Sequence, residues 1–348
     1  MTIVNAYAAY QAKEDLKPFQ IERREPKEHD VVIDIKFCGV CHSDIHQAKD
    51  EWGGSRFPLV PGHEIVGIVS KIGSGVVGFT IGDKVGVGCF VDSCRECGPC
   101  KAGLEQYCEK GMNDTYNGVE KDGKTPTYGG YSTQIVVDEK YVLRIPDNIA
   151  LEKAAPLLCA GITTYSPLKH WKIKKGDQVA VVGLGGLGHM AVKIAAAMGA
   201  VVTVLSTSDN KKEDALRFGA KHFVNTKATN FFEEYANHFD FIINTVSSNI
   251  NLDQYLSLLK LDATMVNVGA PEKPTPINSF PLIFKRRSLA GSLIGGIKET
   301  QEMLDFCGKH NLGADIELIP VNKINEAYER MLKSDVKYRF VIDINTLK

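Results

Sequence analysis

Val179-Ala180-Val181-Val182-Gly183-Leu184-Gly185-Gly186-Leu187-Gly188 decides how the second half of this chain folds. Four β-prone apolar residues run into a G-x-G-x-x-G turn, after which Leu187, Met190, Ala191, Ile194, Ala195 and Met198 recur at helical spacing. Glycines at such a turn allow a tight bend, close backbone approach to a pyrophosphate and close packing of helix on strand. The free N–H groups of the following helix then face the anion. A glycine-rich turn without a ligand is the bland alternative. The surroundings favour the nucleotide reading, because strand and helix patterns alternate at 179–182, 186–198, 201–205, 211–218, 241–245, 252–259 and 265–268. Alternation of this kind predicts a doubly wound parallel sheet, since each parallel crossover needs about a dozen residues.

Upstream the character is different. Segments 31–37, 65–69 and 84–87 have strand composition, separated by turns such as Gly73-Ser74-Gly75 and Gly82-Asp83. Short strands with frequent turns predict a compact, barrel-like β body, with 104–123 as loop. The change comes near Ala154-Ala155-Pro156. After about residue 296, helices are expected at 300–310 and 324–331, with strands at Leu318 and 338–342. Some 50 residues make a poor independent domain, so this tail is expected to rejoin the first.

With 348 residues, the chain is long enough for two domains of ordinary size. Its 41 basic and 42 acidic side chains give a net charge of −1, which offers nothing to nucleic acid or a membrane surface. The sharpest basic run, Lys285-Arg286-Arg287, reads as a solvated loop or a cofactor edge. The chain opens without a basic segment ahead of a long apolar one, and residues 178–208 are too interrupted for a membrane span, so a cytoplasmic protein is expected. Nine cysteines in that setting point to metal and thiol chemistry instead of disulfides.

Cys94-x2-Cys97-x2-Cys100-x7-Cys108 sets four thiols close together, as a closed tetrahedral zinc site requires. An iron–sulfur cluster is the main alternative. A second set of soft ligands lies at Cys38-Gly39-Val40-Cys41-His42-Ser43-Asp44-Ile45-His46 and Pro61-Gly62-His63-Glu64, with Cys159 far downstream. Two thiols and one imidazole with an open fourth position suit a catalytic zinc, but spacing alone does not connect Cys159 to the others. By itself, Cys159 in Leu157-Leu158-Cys159-Ala160 reads as a small core residue. Cys38 and Cys41 could form a redox C-x-x-C, although the βαβ setting of such sites is missing. Cys38, Cys89 and Cys307 are expected to be packed apolar residues.

Where the second strand ends, the ribose-binding acid expected about 20 residues after the glycine motif is replaced by Ser206-Thr207-Ser208 and Lys211-Lys212. Hydroxyls and a cation suit a 2′-phosphate, so NADP is favoured over NAD. The alternative is that the lysines are ordinary helix-surface charges.

With these motifs, Gly161-Ile162-Thr163-Thr164-Tyr165 and the turn from Gly183 to His189, the chain resembles the zinc-dependent medium-chain alcohol dehydrogenases. Within them it is most similar to the cinnamyl alcohol dehydrogenase branch of NADP-dependent aldehyde reductases. The resemblance implies a GroES-like β-barrel catalytic domain over 1–157 with a structural-zinc lobe at 89–110. A Rossmann domain would follow at 158–295, and residues 296–348 would return to the first domain. It implies Cys41, His63 and Cys159 as constant ligands of a catalytic zinc, with Glu64 as an exchangeable one. Asp44 would orient His63, Ser43 and His46 would relay protons, and Cys94, Cys97, Cys100 and Cys108 would hold a second, structural zinc. Thr163, Gly183, Leu184, Gly185, Gly186, Leu187, Gly188, Ser206, Thr207, Ser208, Lys211, Thr245, Gly269, Ser292, Leu293 and Ile294 would line the NADP(H) site. A homodimer paired through the edge of the cofactor sheet near 288–297 is also implied.

The expected reaction is reversible hydride transfer between aldehydes and primary alcohols, aromatic (cinnamaldehyde, benzaldehyde) as well as aliphatic. Asn113 and Leu293 depart from the plant lignin enzymes, which carry an aromatic residue at each place, and this favours a broad aldehyde reductase. Two rivals remain at this level. A polyol or sugar dehydrogenase of the same fold often has a carboxylate where Cys159 stands, and a non-enzymatic zinc- and NADP-binding module has no need of Ser43 and His46.

Overall fold

The computed structural model describes residues 2–271 and 273–347. Two compact units emerge, one formed by Met1–Cys159 with Gly295–Lys348 and the other by Ala160–Ile294. The chain passes from the first to the second immediately after Cys159.

In the first unit, strand Asp30–Gly39 is the hub. It pairs antiparallel with Ile65–Ile72, with Gln134–Asp138 and, at its end, with Arg339–Asp343. Its apolar residues are buried nearly throughout, as befits a strand enclosed by neighbours. Two register shifts against Ile65–Ile72, at Val32/Ile33 and Ile35/Phe37, re-aim the strand before it reaches Cys38. The sheet continues through Lys84–Val87 to Leu143–Arg144 on one side and ends with Ile316–Pro320 on the other. Strand Arg339–Asp343 thus brings the C-terminal segment back onto Phe37–Gly39.

The second unit is a sheet of six strands, all parallel, in the spatial order His222–Asn225, Val201–Ser206, Gln178–Val182, Phe239–Asn244, Leu259–Asn267, Ser288–Gly291. Strand order therefore reverses between Gln178–Val182 and Phe239–Asn244, which in open α/β sheets is where a nucleotide binds. Leu205, Phe231, Phe239, Ile242, Leu256, Leu259 and Met265 form a dry core cluster in this unit.

Several elements differ from expectation. Helix 252–259 stops at Ser257, and the next strand begins at Leu259, because the buried pair Leu258 and Leu259 belongs to the sheet's core. Helices His42–Ala48 and Ala160–His170 carry no clear apolar stripe and were not evident from periodicity. Within the expected loop, Glu105–Tyr107 makes one tight helical turn and Asn113–Asp114 pairs with Phe90–Asp92. In the basic run, Arg286 pairs with Asp262, whereas Arg287 donates to the carbonyls of Leu259, Pro281 and Ser257 and to Asn237. Arg287 is a structural clamp. Among the described residues, no helix is long and apolar enough to cross a membrane.

Candidate metal centre and nucleotide site

Cys41 caps the N-terminus of helix His42–Ala48, which carries Ser43, Asp44 and His46 on its two turns. Asp44 is fully buried, and a buried carboxylate is tolerable only when well supplied with donors. Cys41 N–H donates to its Oδ2 at 2.8 Å, the Gly62 N–H to Oδ1 at 3.1 Å, Tyr131 Oη–H to Oδ2 at 3.2 Å, and His63 Nδ1 lies 3.2 Å from Oδ1. A proton on Nδ1 leaves Nε2 of His63 with its lone pair, as a metal ligand needs. Gly62 turns the chain into His63 with φ of +105°, and a Cβ there would meet the Tyr131 ring at 2.7 Å. Only glycine fits.

The ligating atoms of Cys41, His63, Glu64 and Cys159 all lie within 4.8 Å of one another. Cys159, assigned on composition alone to the core, stands 3.9 Å from Cys41, sulfur to sulfur. The Cys159 thiol hydrogen-bonds Cys41 and, with Arg339 and His63 nearby, pulls Cys41 well below the ordinary thiol range despite its burial. Cys159 is correspondingly raised.

Glu64 is fully buried with Oε1 paired to Arg339. Its Oε2 has no hydrogen-bond partner among the described residues. Room for that carboxylate exists because residue 39 is glycine, whose Cβ would run into it. An orphaned buried oxygen beside two thiols and an imidazole is the donor set of a zinc site, and these residues fit that ion.

Four further residues at this centre escaped the sequence reading. Arg339 supplies the counter-charge to Glu64, Tyr131 reaches Asp44, and Tyr116 stacks on His63 with ring centroids 5.8 Å apart. Cys89 is the fourth and a correction. Cys38 and Cys307 are packed in the core, but Cys89 is half-buried, and hydrogen bonding to Cys159 lowers its thiol. Arg339 left a faint trace, a charge inside the apolar run Tyr338-Arg339-Phe340-Val341-Ile342. Ser43 Oγ is 3.7 Å from Cys41 Sγ, and His46 stacks on Trp52 while pairing with Glu51.

The ligating atoms of Cys94, Cys97, Cys100 and Cys108 likewise lie within 4.8 Å of one another. Backbone N–H groups of Glu96 and Cys97 bring the Cys94 thiol down to about 6, while burial pushes Cys100 up to about 12. Ser93 Oγ accepts from Cys100 at 3.2 Å and is held by Tyr141 at 2.8 Å.

In the second unit, Gly183 has φ of +87°, and a Cβ on Gly188 would run into the Gly183 carbonyl. Gly185 caps helix Gly186–Ala197 and has nothing within 4 Å of its Cβ position, so the N–H cradle is open to an anion. Leu184 is buried and Leu187 half-buried beside it. Thr245, across the switch point, donates to Val182 O at 2.8 Å, and Gly269 passes so close to Val246 O that a side chain is barred. At the end of the second strand, Ser206 bonds Ser208 O at 3.2 Å, Thr207 and Ser208 are exposed, and Lys211 Nζ donates to Leu184 O at 3.0 Å. The adjacent carboxylate of Asp209 accepts from Asn225 Nδ2 at 3.0 Å. Thr163 is buried in helix Ala160–His170, while Ser292 N–H donates to Asn267 O, Leu293 is 46% exposed and Ile294 is buried.

The family profile described as alcohol dehydrogenase GroES-like domain matches residues 27–147, and that described as zinc-binding dehydrogenase matches 186–309. The chain is 60% identical over 349 residues to NADP-dependent alcohol dehydrogenase C 1 of Mycolicibacterium smegmatis, covering 100% of both. Among solved structures it is similar to a cinnamyl alcohol dehydrogenase of Sorghum bicolor, with a TM-score of 0.96 and 44% identity over 100% of this chain and 99% of that one. It also matches a Helicobacter pylori enzyme of that kind complexed with NADP(H), with a TM-score of 0.93 and 46% identity over 99% of each.

Breaking a buried ion pair from one side leaves the other charge uncompensated, at about 3–5 kcal/mol. Arg339→Met is accordingly expected to lower unfolding stability by about that much in a denaturant titration; a loss below about 1 kcal/mol would show that Glu64 does not depend on it.

Proposed function

The chain belongs to the zinc-binding alcohol dehydrogenases, and from that membership we propose that it is an NADP(H)-dependent alcohol dehydrogenase and aldehyde reductase with two zinc ions per chain. The observation that carries the catalytic reading is the gathering of Cys41, His63, Cys159 and the Glu64 carboxylate within 4.8 Å, behind a fully buried Asp44. Cys94, Cys97, Cys100 and Cys108 hold the second, structural ion. When bound, zinc supplies Lewis acidity toward the substrate oxygen and NADPH supplies the hydride.

The protein's own residues orient and move protons. Asp44 keeps His63 in one tautomer and one orientation. Ser43, beside Cys41, delivers a proton to the product oxygen, and His46 on the same helix is the surface end of the relay. Glu51 and Trp52 hold the His46 ring by an ion pair and a stacked contact at 4.8 Å. At the nucleotide site, the glycine turn and the start of helix Gly186–Ala197 take the pyrophosphate, and Thr163, Thr245, Gly269, Ser292, Leu293 and Ile294 line the cofactor. Ser206, Thr207, Ser208 and Lys211 take the 2′-phosphate; Asp209, engaged by Asn225, does not oppose it. Substrates are aromatic aldehydes such as cinnamaldehyde or benzaldehyde together with aliphatic ones, since neither Asn113 nor Leu293 narrows the choice. Among the described residues none of the nine cysteines forms a disulfide, which suits the reducing cytoplasm. A homodimer pairs strand Ser288–Gly291, an edge of the cofactor sheet, near exposed Ile283 and Phe284.

Cys41→Ala or His63→Ala is expected to abolish NADPH-dependent reduction of benzaldehyde and to leave one zinc per chain by elemental analysis, with NADPH still bound. Substantial turnover in either variant would refute the ligand assignment. Ser206→Asp combined with Lys211→Ala should shift the NADPH to NADH ratio of kcat/KM toward NADH at least tenfold, about 1.4 kcal/mol; an unchanged ratio would remove the phosphate site. Light scattering should give twice the 38.2 kDa chain mass, and a monomer throughout the micromolar range would exclude the dimer.

A further inference from the structure

Two hydroxyls from outside the segments that carry the metal ligands Cys41 and His63 reach Asp44, those of Tyr131 and Tyr116. The geometry points to Tyr131 as a positioning residue of the metal centre, its hydroxyl holding the Asp44 carboxylate that in turn holds His63. This inference rests on the zinc reading above.

Tyr131 is fully buried, and its placement is determined at both ends. On the backbone side, the segment Gly129–Tyr131 runs along Val60–Gly62 with Gly129 N–H on Val60 O at 2.8 Å, Gly130 N–H on Gly62 O at 2.8 Å and Tyr131 N–H on Pro61 O at 3.0 Å. Tyr7 N–H caps the Tyr131 carbonyl at 2.8 Å. Behind this segment, the buried Arg23 guanidinium donates to the carbonyls of Tyr128, Gly129 and Gln134 and to Ser132 Oγ. Burial brings Arg23 down to about 9, and its hydrogen-bond acceptors here are all neutral, so it acts as a backbone clamp. On the side-chain side, the ring packs on Gly62, the residue before His63, and the hydroxyl reaches Asp44 Oδ2 at 3.2 Å with Tyr328 Oη 3.5 Å behind it.

The physical consequence is specific. Cys41 N–H, Gly62 N–H and His63 Nδ1 belong to the segments that carry the ligands, so they move with Cys41 and His63. Tyr131 is tied to Pro61 by its own N–H but also, through its carbonyl and the Arg23 clamp, to Tyr7 and the strand beyond. It ties the carboxylate to a further part of the unit, and removing its hydroxyl takes away one of the fixed donors that hold Asp44, and through it His63, in place. The centre would then hold its ion less firmly, because hydrogen-bond partners behind a metal-bound imidazole set its orientation and basicity.

The chain provides its own control, since among the described residues no hydrogen bond joins the four-cysteine cluster to Asp44. Holoenzyme is exposed to a chelator, and release of the two zinc ions is followed by a colorimetric indicator together with loss of benzaldehyde reduction and with the thermal midpoint. Tyr131→Phe is expected to release the catalytic ion about tenfold faster, with release of the structural ion unchanged. In an Asp44→Asn background the same substitution should add nothing, because both act through one contact. Tyr328→Phe should move release in the same direction by a smaller factor, and it carries the test should Tyr131→Phe not fold. Equal acceleration of both ions with a falling midpoint, unchanged release, or an effect that adds to Asp44→Asn would each overturn the inference. If the parent holoenzyme has no ion at Cys41, His63 and Cys159, the zinc reading fails first, and that result is visible before any variant is compared.

Discussion

A buried carboxylate has to be surrounded by donors, and satisfying Asp44 organises the metal centre. Its two oxygens collect Cys41 N–H, Gly62 N–H, the Tyr131 hydroxyl and His63 Nδ1. Those groups come from three separate stretches of chain. Leaving one such charge unpaired costs several kcal/mol, so the three stretches have one mutual arrangement that is well satisfied. Cys41 and His63 are then held in place with the lone pair of His63 directed away from Asp44. The ligand geometry is a by-product of neutralising a charge.

The second constraint is the Glu64–Arg339 pair. Both partners are buried, and Arg339 arrives on the strand that brings the C-terminal segment back to Phe37–Gly39. Gly39 leaves the volume into which the Glu64 carboxylate folds. Return of the tail to the first unit is thus more than packing economy, because it delivers the counter-charge that lets a carboxylate sit beside two thiols. One oxygen of that carboxylate stays without a hydrogen bond, which is the chemistry a cation would complete.

Much of this was legible in the residues, and the limits have physical causes. The glycine turn was readable because a strand, a G-x-G-x-x-G and a helix must be contiguous to bind a pyrophosphate, and Gly183, Gly185 and Gly188 occupy the positions the mechanism demands. The four-cysteine lobe was readable because all its ligands lie within one short segment. Cys159 was not, since 118 residues separate it from Cys41 and nothing local distinguishes a thiol ligand from a core residue. Cys89 was misjudged for the same reason. Arg339, Tyr131 and Tyr116 act through contacts that only the fold creates, and helix His42–Ala48, at seven residues, is too short to show a period.

Anomalous diffraction at the zinc absorption edge, on crystals of the holoenzyme, is the most direct measurement. Two full peaks per chain are expected, one among the four cysteines at 94–108 and one within about 2.3 Å of the sulfurs of Cys41 and Cys159 and about 2.0–2.1 Å of His63 Nε2. A single peak at the four-cysteine lobe, with none between Cys41, His63 and Cys159 in enzyme that still reduces aldehydes, would contradict the proposed centre.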